Sequence, residues 1–150
     1  MAFTFESLQK EDVDKCVELA MSTLKGQMKD YGNKDRLRVM IYGKQTMTLV
    51  GKKDGKIAGF ITAALMGIPR IMFLTVSDEK TAKEGLSSQL IDKLVEKIGQ
   101  ILPKTKQILH NEFADSVAAI ALYAFKGFRI TGYIKDPVTD RDVVFMAKSI

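Results

Sequence analysis

Hydrophobic and polar residues change rhythm several times along the chain, and each rhythm predicts an element. Phe3-Thr-Phe-Glu-Ser-Leu8 alternates with the two-residue period of a strand. A capping-like polar stretch follows, and Val13, Cys16, Val17, Ala20, Met21 and Leu24 then share one helical face. The polar connection Lys25 to Arg36 leads into a second helix over Asp35 to Tyr42 that ends at Gly43. Two apolar runs flank Lys53-Asp-Gly-Lys56, where Asp-Gly signals a hairpin. Gly67-Ile-Pro-Arg70 interrupts the chain, and Ile71-Met-Phe-Leu-Thr-Val76 resumes it as a strand whose unbroken apolar run implies burial on both faces.

Beyond that strand, Leu86, Leu90, Ile91, Leu94, Val95 and Ile98 form a helical stripe stopped by Gly99 and Pro103. Thr105 to Phe113 reads as the next strand. Asp115 or Ser116 is placed to cap a helix with an apolar face of Val117, Ile120, Ala121 and Ala124, stopped by Gly127. Phe128 to Ile134 and Asp142 to Ala147 read as two closing strands joined by the turn-forming Lys135 to Asp140. The resulting order, β-α-α-β-β-β-α-β-α-β-β, predicts one domain over residues 1–150 of mixed α/β class, a single sheet with helices on its faces.

Composition keeps this within ordinary globular chemistry: 46% of residues are hydrophobic and 27% charged. The lone Cys16 excludes an internal disulfide and points to a reducing, cytoplasmic setting; at helical spacing with Val13 and Ala20 it reads as a packed core thiol before it reads as a nucleophile. The first residues lack the basic start and long apolar stretch of a signal peptide. Ile57 to Pro69 is too short to span a bilayer, so no membrane partner is expected. The net charge of +5 is compatible with a small polyanionic ligand or with a solvated basic surface. Nucleic acid is disfavoured, because the bases are spread out and not interleaved with aromatic residues. No cysteine–histidine cluster predicts a metal.

Ser77 to Lys83 contains no large apolar side chain and precedes Gly85 and the helix that starts at Leu86. A helix start behind a glycine can be a plain turn, or it can present backbone N–H groups to a phosphate.

Together the order of elements, the hairpin Val50-Gly-Lys-Lys-Asp-Gly-Lys-Ile-Ala-Gly-Phe60, the strand–loop–Gly85–helix unit and Leu122-Tyr-Ala-Phe-Lys-Gly-Phe128 resemble the GNAT superfamily of acyl-CoA-dependent N-acetyltransferases. The last stretch is similar to that family's Leu-Tyr-x-x-x-Gly-Phe. The phosphate-loop pattern Arg/Gln-x-x-Gly-x-Gly/Ala reads here Ala82-Lys-Glu-Gly85-Leu-Ser87, keeping the central glycine. The resemblance implies a GNAT-like domain with a mostly antiparallel sheet of six to seven strands and about four helices.

It also implies acetyl-CoA as acyl donor and direct attack by a primary amine. Lys83, Glu84, Gly85, Leu86, Ser87 and Ser88 would surround the pyrophosphate, with Lys80 and Lys126 as nearby cations. Leu74, Thr75 and Val76 would hold the pantetheine arm. Tyr123 would protonate the leaving thiolate. The family's asparagine six residues before the leucine is Ser116 here, and the glutamate many relatives carry before the phosphate loop is missing from Ile71–Val76. For the base there remain His110, Glu112, or a water relay to Glu6 or Asp115. Met28, Tyr31, Met40 and Tyr42 would line an acceptor slot or belong to the core. The acceptor stays open between a peptide N-terminus, a protein lysine and a metabolite amine. A catalytically weak acyl-CoA-binding module and a basic interaction domain are the other readings. A homodimer through the closing strands or an edge strand is compatible with the pattern.

Overall fold

A computed structural model of the chain describes residues 2–23 and 33–150. The N-terminal strand is β1 (Thr4–Ser7); a 3-10 turn at Lys10–Asp12 leads to α1 (Val13–Thr23), and α2 (Lys34–Ile41) follows. Then come β2 (Thr46–Lys53), β3 (Lys56–Ala64), β4 (Arg70–Val76), the short α3 (Glu79–Lys83), α4 (Leu86–Ile101) and β5 (Gln107–Phe113). The chain closes with α5 (Val117–Phe125), β6 (Arg129–Lys135) and β7 (Asp142–Ser149). The predicted second helix starts at Lys34 because Asn33, one residue before it, caps the helix by accepting the Arg36 N–H.

Seven strands form one sheet in the order β1-β2-β3-β4-β5-β7-β6. Every neighbouring pair is antiparallel except β4 with β5. The Asp-Gly signal is realised as the β2–β3 turn, where Asp54 and Gly55 both take positive φ, 53° and 76°, as a type I′ turn requires.

One apolar cluster lies under α4, whose Leu86, Leu90, Ile91, Leu94 and Ile98 pack on Ile61, Ile71, Ile108, Tyr123 and Met146. Each fully buried Leu or Ile contributes about 1.5–3 kcal/mol. The other cluster joins Val13, Cys16 and Val17 of α1 and Leu37 and Ile41 of α2 to Val50, Phe60 and Phe73. The sheet is therefore covered on both faces, as the run in β4 implied.

Two local features position the site. Gly51 and Gly59 face each other across β2 and β3, and Leu86, the first residue of α4, fills the space they leave. A Cβ on Gly51 would lie 2.6 Å from Leu86 Cδ1, and one on Gly59 would lie 2.9 Å from Leu86 Cδ2 and 2.7 Å from the Thr75 carbonyl oxygen. The glycine pair thus fixes the start of α4 beside the end of β4. In β4 itself the register skips Met72, since Thr62 pairs with Phe73 and Ala63 with Ile71. This bulge sends both Met72 and Phe73 to the α1–α2 side, while Leu74 and Val76 return to the α4 side.

The parallel pair is short. β4 and β5 match only at Arg70 with Leu109 and Ile71 with His110. Past these residues the strands diverge and open a gap in the middle of the sheet. At its far edge β6 is exposed along almost its whole length.

Candidate active site

The gap between β4 and β5 holds a cleft of about 360 Å³. Its walls include Leu74 of β4, Glu112 of β5, Tyr123 near the end of α5, and Asp136 just past β6. Tyr123 is 1% exposed. Its ring stacks on His110 with centroids 3.7 Å apart and meets the Phe128 ring edge-on at 5.2 Å. Among the described residues the phenol oxygen has no hydrogen-bond partner. Burial, and secondarily the charge of Glu112, pushes its pKa upward, so the group stays a neutral O–H donor throughout the physiological range.

Two residues apart on β5, His110 and Glu112 point to the same side. Glu112 Oε2 lies 3.0 Å from His110 Nε2, and its Oε1 accepts the Phe113 N–H at 3.3 Å. An ionised carboxylate only accepts, so it places a proton on Nε2. The other ring nitrogen, Nδ1, lies 3.4 Å from the Ile71 carbonyl oxygen. Both imidazole nitrogens therefore face acceptors, and the oxygen lone pairs of this couple belong to Glu112. The alternative carboxylates are engaged elsewhere: Glu6 pairs with Lys52 at 2.6 Å on the far edge strand, and Asp115 with Arg141 at 2.8 Å.

At the end of β4, Thr75 Oγ1 is the second buried side-chain atom without a partner among the described residues. The segment after it, expected as an extended phosphate loop, contains α3 instead. Asp78 starts this helix by accepting the Thr81 N–H at 2.6 Å, and that bond, foremost, holds the Asp78 carboxyl below its usual range. Gly85 sits at φ +91°, the left-handed region. Its own N–H donates to the Ala82 carbonyl at 3.0 Å and so is not available to a ligand in this arrangement. The N–H groups of Leu86, Ser87 and Ser88 follow as the first turn of α4, which has no side-chain cap.

The cations expected near a phosphate are partly committed. Lys83 pairs with Glu79 at 3.3 Å and Lys126 with Asp92 at 2.7 Å, whereas Lys80 makes no ion pair among the described residues. Glu84 is bonded by Lys53 at 2.8 Å, which draws its carboxyl below the usual range. Lys53, which sequence reasoning did not single out, thus neutralises the carboxylate that most opposes a phosphate there. Ser116 is the N-cap residue of α5, but its hydroxyl makes no capping bond; its backbone N–H donates to Phe113 and its carbonyl accepts from Ile120.

Asp136 was also missed, because nothing in a turn between two closing strands announces that it faces a cleft formed by other strands. Met28 and Tyr31 of the expected acceptor slot lie outside the described residues. Of the other two, Met40 packs on the α1–α2 cluster and Tyr42 is exposed. A larger apolar depression, about 640 Å³, lies where β4 and β5 begin, around Ile68, Ile101 and Leu102. Neither unpartnered hydroxyl reaches it. Among the described residues no cluster of three metal-ligating side chains occurs, and no helix is long and apolar enough to cross a membrane.

No family model matches the sequence, and neither does any curated protein. Solved structures match over the whole chain. The ribosomal-protein-S18-alanine N-acetyltransferase from Escherichia coli superposes with a TM-score of 0.80 at 19% identity, covering 99% of this chain and 94% of that one. Ard1 from Thermoplasma volcanium gives a TM-score of 0.83 at 19% identity, covering 100% and 99%. An aminoglycoside 6'-acetyltransferase type Ii gives 0.80 at 15% identity, covering 97% and 96%. The fold is that of the GNAT superfamily, a mixed α/β fold with a mostly antiparallel sheet.

Proposed function

We propose that the protein is an acetyl-CoA-dependent N-acetyltransferase that joins an acetyl group to a primary amine by direct attack in a ternary complex. The observation that carries this reading is the buried, unpartnered Tyr123 hydroxyl in a cleft it shares with the Glu112 carboxylate. An amine near pKa 10 arrives as an ammonium and cannot attack until it loses a proton. Glu112, oriented by His110, takes that proton before the attack. As the C–N bond forms and the C–S bond breaks, the Tyr123 O–H gives its proton to the leaving thiolate, and the second proton that nitrogen releases on becoming an amide restores the phenol. Proton transfers of this kind contribute about 10²–10⁴ in rate.

For acetyl-CoA as substrate, the first-turn N–H groups of Leu86, Ser87 and Ser88 suit a pyrophosphate, supported by the helix dipole and by Lys80. The β5-facing edge of β4 at Leu74, Thr75 and Val76 suits the amides of the pantetheine arm. Of the named neighbours, one is an N-acetyltransferase of a ribosomal-protein alanine and another an aminoglycoside 6'-acetyltransferase, so acetyl transfer on this fold serves different acceptors.

The test is calorimetric titration with acetyl-CoA at two salt concentrations, with Gly85→Val beside the wild type. Left-handed backbone costs an L residue about 1–2 kcal/mol, and a β-branched one more, so the variant should misplace the start of α4. Salt-sensitive binding that this variant loses, followed by turnover in an amine panel, supports the proposal. Binding without turnover on any amine favours the weak acyl-CoA-binding module, and no binding at millimolar acetyl-CoA refutes both.

A further inference from the structure

We infer that the acceptor is a cationic amine with no carboxylate beside its reacting nitrogen, and that Asp136 selects for it. This rests on the acetyltransfer reading and names the substrate class of the same cleft. Two carboxylates line the cleft, Glu112 on β5 and Asp136 directly after β6. No lysine or arginine lines it, and among the described residues neither carboxylate is paired with one. Asp136 accepts the Val138 N–H at 2.9 Å through Oδ1, which fixes the turn around it. Lys135, adjacent in the chain, lies 3.9 Å from Asp140, and Arg141 is held by Asp115 at 2.8 Å and lies over the Phe113 ring at 3.6 Å.

Acidic residues alone would describe a solvated rim. The unpartnered Tyr123 hydroxyl, buried in the same cleft, marks it as a place where a ligand completes the hydrogen bonding. An ammonium entering such a cleft is attracted by both carboxylates. A free amino acid brings its own carboxylate within a few ångströms of the reacting nitrogen, against two like charges, with no lysine or arginine in the lining to receive it and with both nitrogens of His110 already facing acceptors. The remaining walls, among them Leu74, Leu122 and Val143, suit an uncharged arm. These features fit a peptide N-terminus, a lysine side chain or a decarboxylated amine, and exclude free amino acids.

Tyramine and tyrosine form the test pair, since they share the phenol arm and differ in the carboxylate, and the change of preference between wild type and variants cancels their difference in amine basicity. kcat/KM is measured for both at saturating acetyl-CoA, in wild type, Asp136→Asn and Asp136→Lys. Asparagine keeps the oxygen that holds Val138, so the turn survives. The expected result is a preference for tyramine of about tenfold or more. Asp136→Asn should shrink it through a higher KM at little change in kcat, and Asp136→Lys should reverse it. Acetyl-CoA affinity should stay unchanged in both variants. Equal or better use of tyrosine by the wild type, or a preference unaltered in both variants, overturns the inference.

Amide-signal titrations of the CoA-bound protein with the two amines separate this outcome from failure of the acetyltransfer reading. If no amine is turned over, selective displacement of the Glu112 and Asp136 signals by tyramine still supports charge selection. Equal displacement, or none, overturns it.

Discussion

Replacing Tyr123 by phenylalanine should make the protein more stable and less active. The ring contributes its stacking on His110 at 3.7 Å and its edge contact with Phe128 at 5.2 Å, and phenylalanine retains both. The substitution removes a hydroxyl that is buried and bonded to nothing among the described residues. Leaving such a group unsatisfied costs about 1–3 kcal/mol, so the variant should gain about that much. For a chain of this length the gain corresponds to about 2–4 °C in Tm per kcal/mol. Urea unfolding and thermal melts read the stability, and initial rates of acetyl transfer read the chemistry, where a loss of about 10²–10⁴ is expected. High pH supplies a second signature. The phenol ionises near its ordinary value of 10.0 when unfolded but higher when folded. The unfolded state therefore releases this proton first, and wild-type stability falls as pH rises past 10, a loss the variant does not share at this position. A variant less stable than wild type by about 1 kcal/mol or more would show that the hydroxyl has a structural partner and would refute the reasoning. So would turnover that stays within a small factor of wild type.

Gly59→Ala should destabilise by about 1–3 kcal/mol, because its Cβ meets the Thr75 backbone oxygen as well as Leu86. Gly99→Ala, in α4 with open space around it, should stabilise by about 1 kcal/mol. Urea midpoints compare the two, and a neutral Gly59→Ala would contradict the close packing of Leu86 on the glycine pair. Burial, reinforced by Asp12 and opposed by Lys52, pushes the Cys16 thiol from 9.0 up to about 12. Iodoacetamide should accordingly label it at pH 8 only after unfolding. Because the unfolded thiol ionises first, the Cys16 contribution to stability should be lost as pH rises from 9 towards 12. Cys16→Ala should flatten that part of the profile, and rapid labelling of the native protein would contradict it.

The elements legible in the sequence are those whose two faces meet different surroundings. The stripe from Leu86 to Ile98 meets the sheet on one side and water on the other, so its period shows. The Asp-Gly turn shows because few other residues tolerate positive φ at both positions. By contrast α3 buries only Thr81 and exists through its Asp78 cap, which leaves no apolar period to find. The bulge at Met72 is silent for the opposite reason: both faces of β4 are apolar, so a change of face changes no residue type. Within the site, His110 and Glu112 were legible as strand neighbours two apart, and Tyr123 through the motif it resembles. Their convergence with Asp136 was not, since it depends on how β5, α5 and the β6–β7 turn are placed by the whole sheet.

The distribution of unmet polar groups is what makes the central gap the functional candidate. Elsewhere the interior satisfies its hydroxyls: Thr48 and Thr62 lie 2.7 Å apart, and Thr48 also donates to the Ile41 carbonyl at 2.7 Å. A sheet gains most when every strand edge is paired, yet β4 and β5 part after two residue pairs. Both buried hydroxyls left without partners, Thr75 and Tyr123, belong to elements that border this opening. Packing alone gives no reason to leave the Tyr123 hydroxyl unsatisfied in the cleft, because a hydrophobic residue of similar shape would be cheaper. A ligand with an acceptor atom near Tyr123 would satisfy it, as the thioester of acetyl-CoA would under the proposed function. The larger apolar depression at the other end of the sheet asks for no such partner.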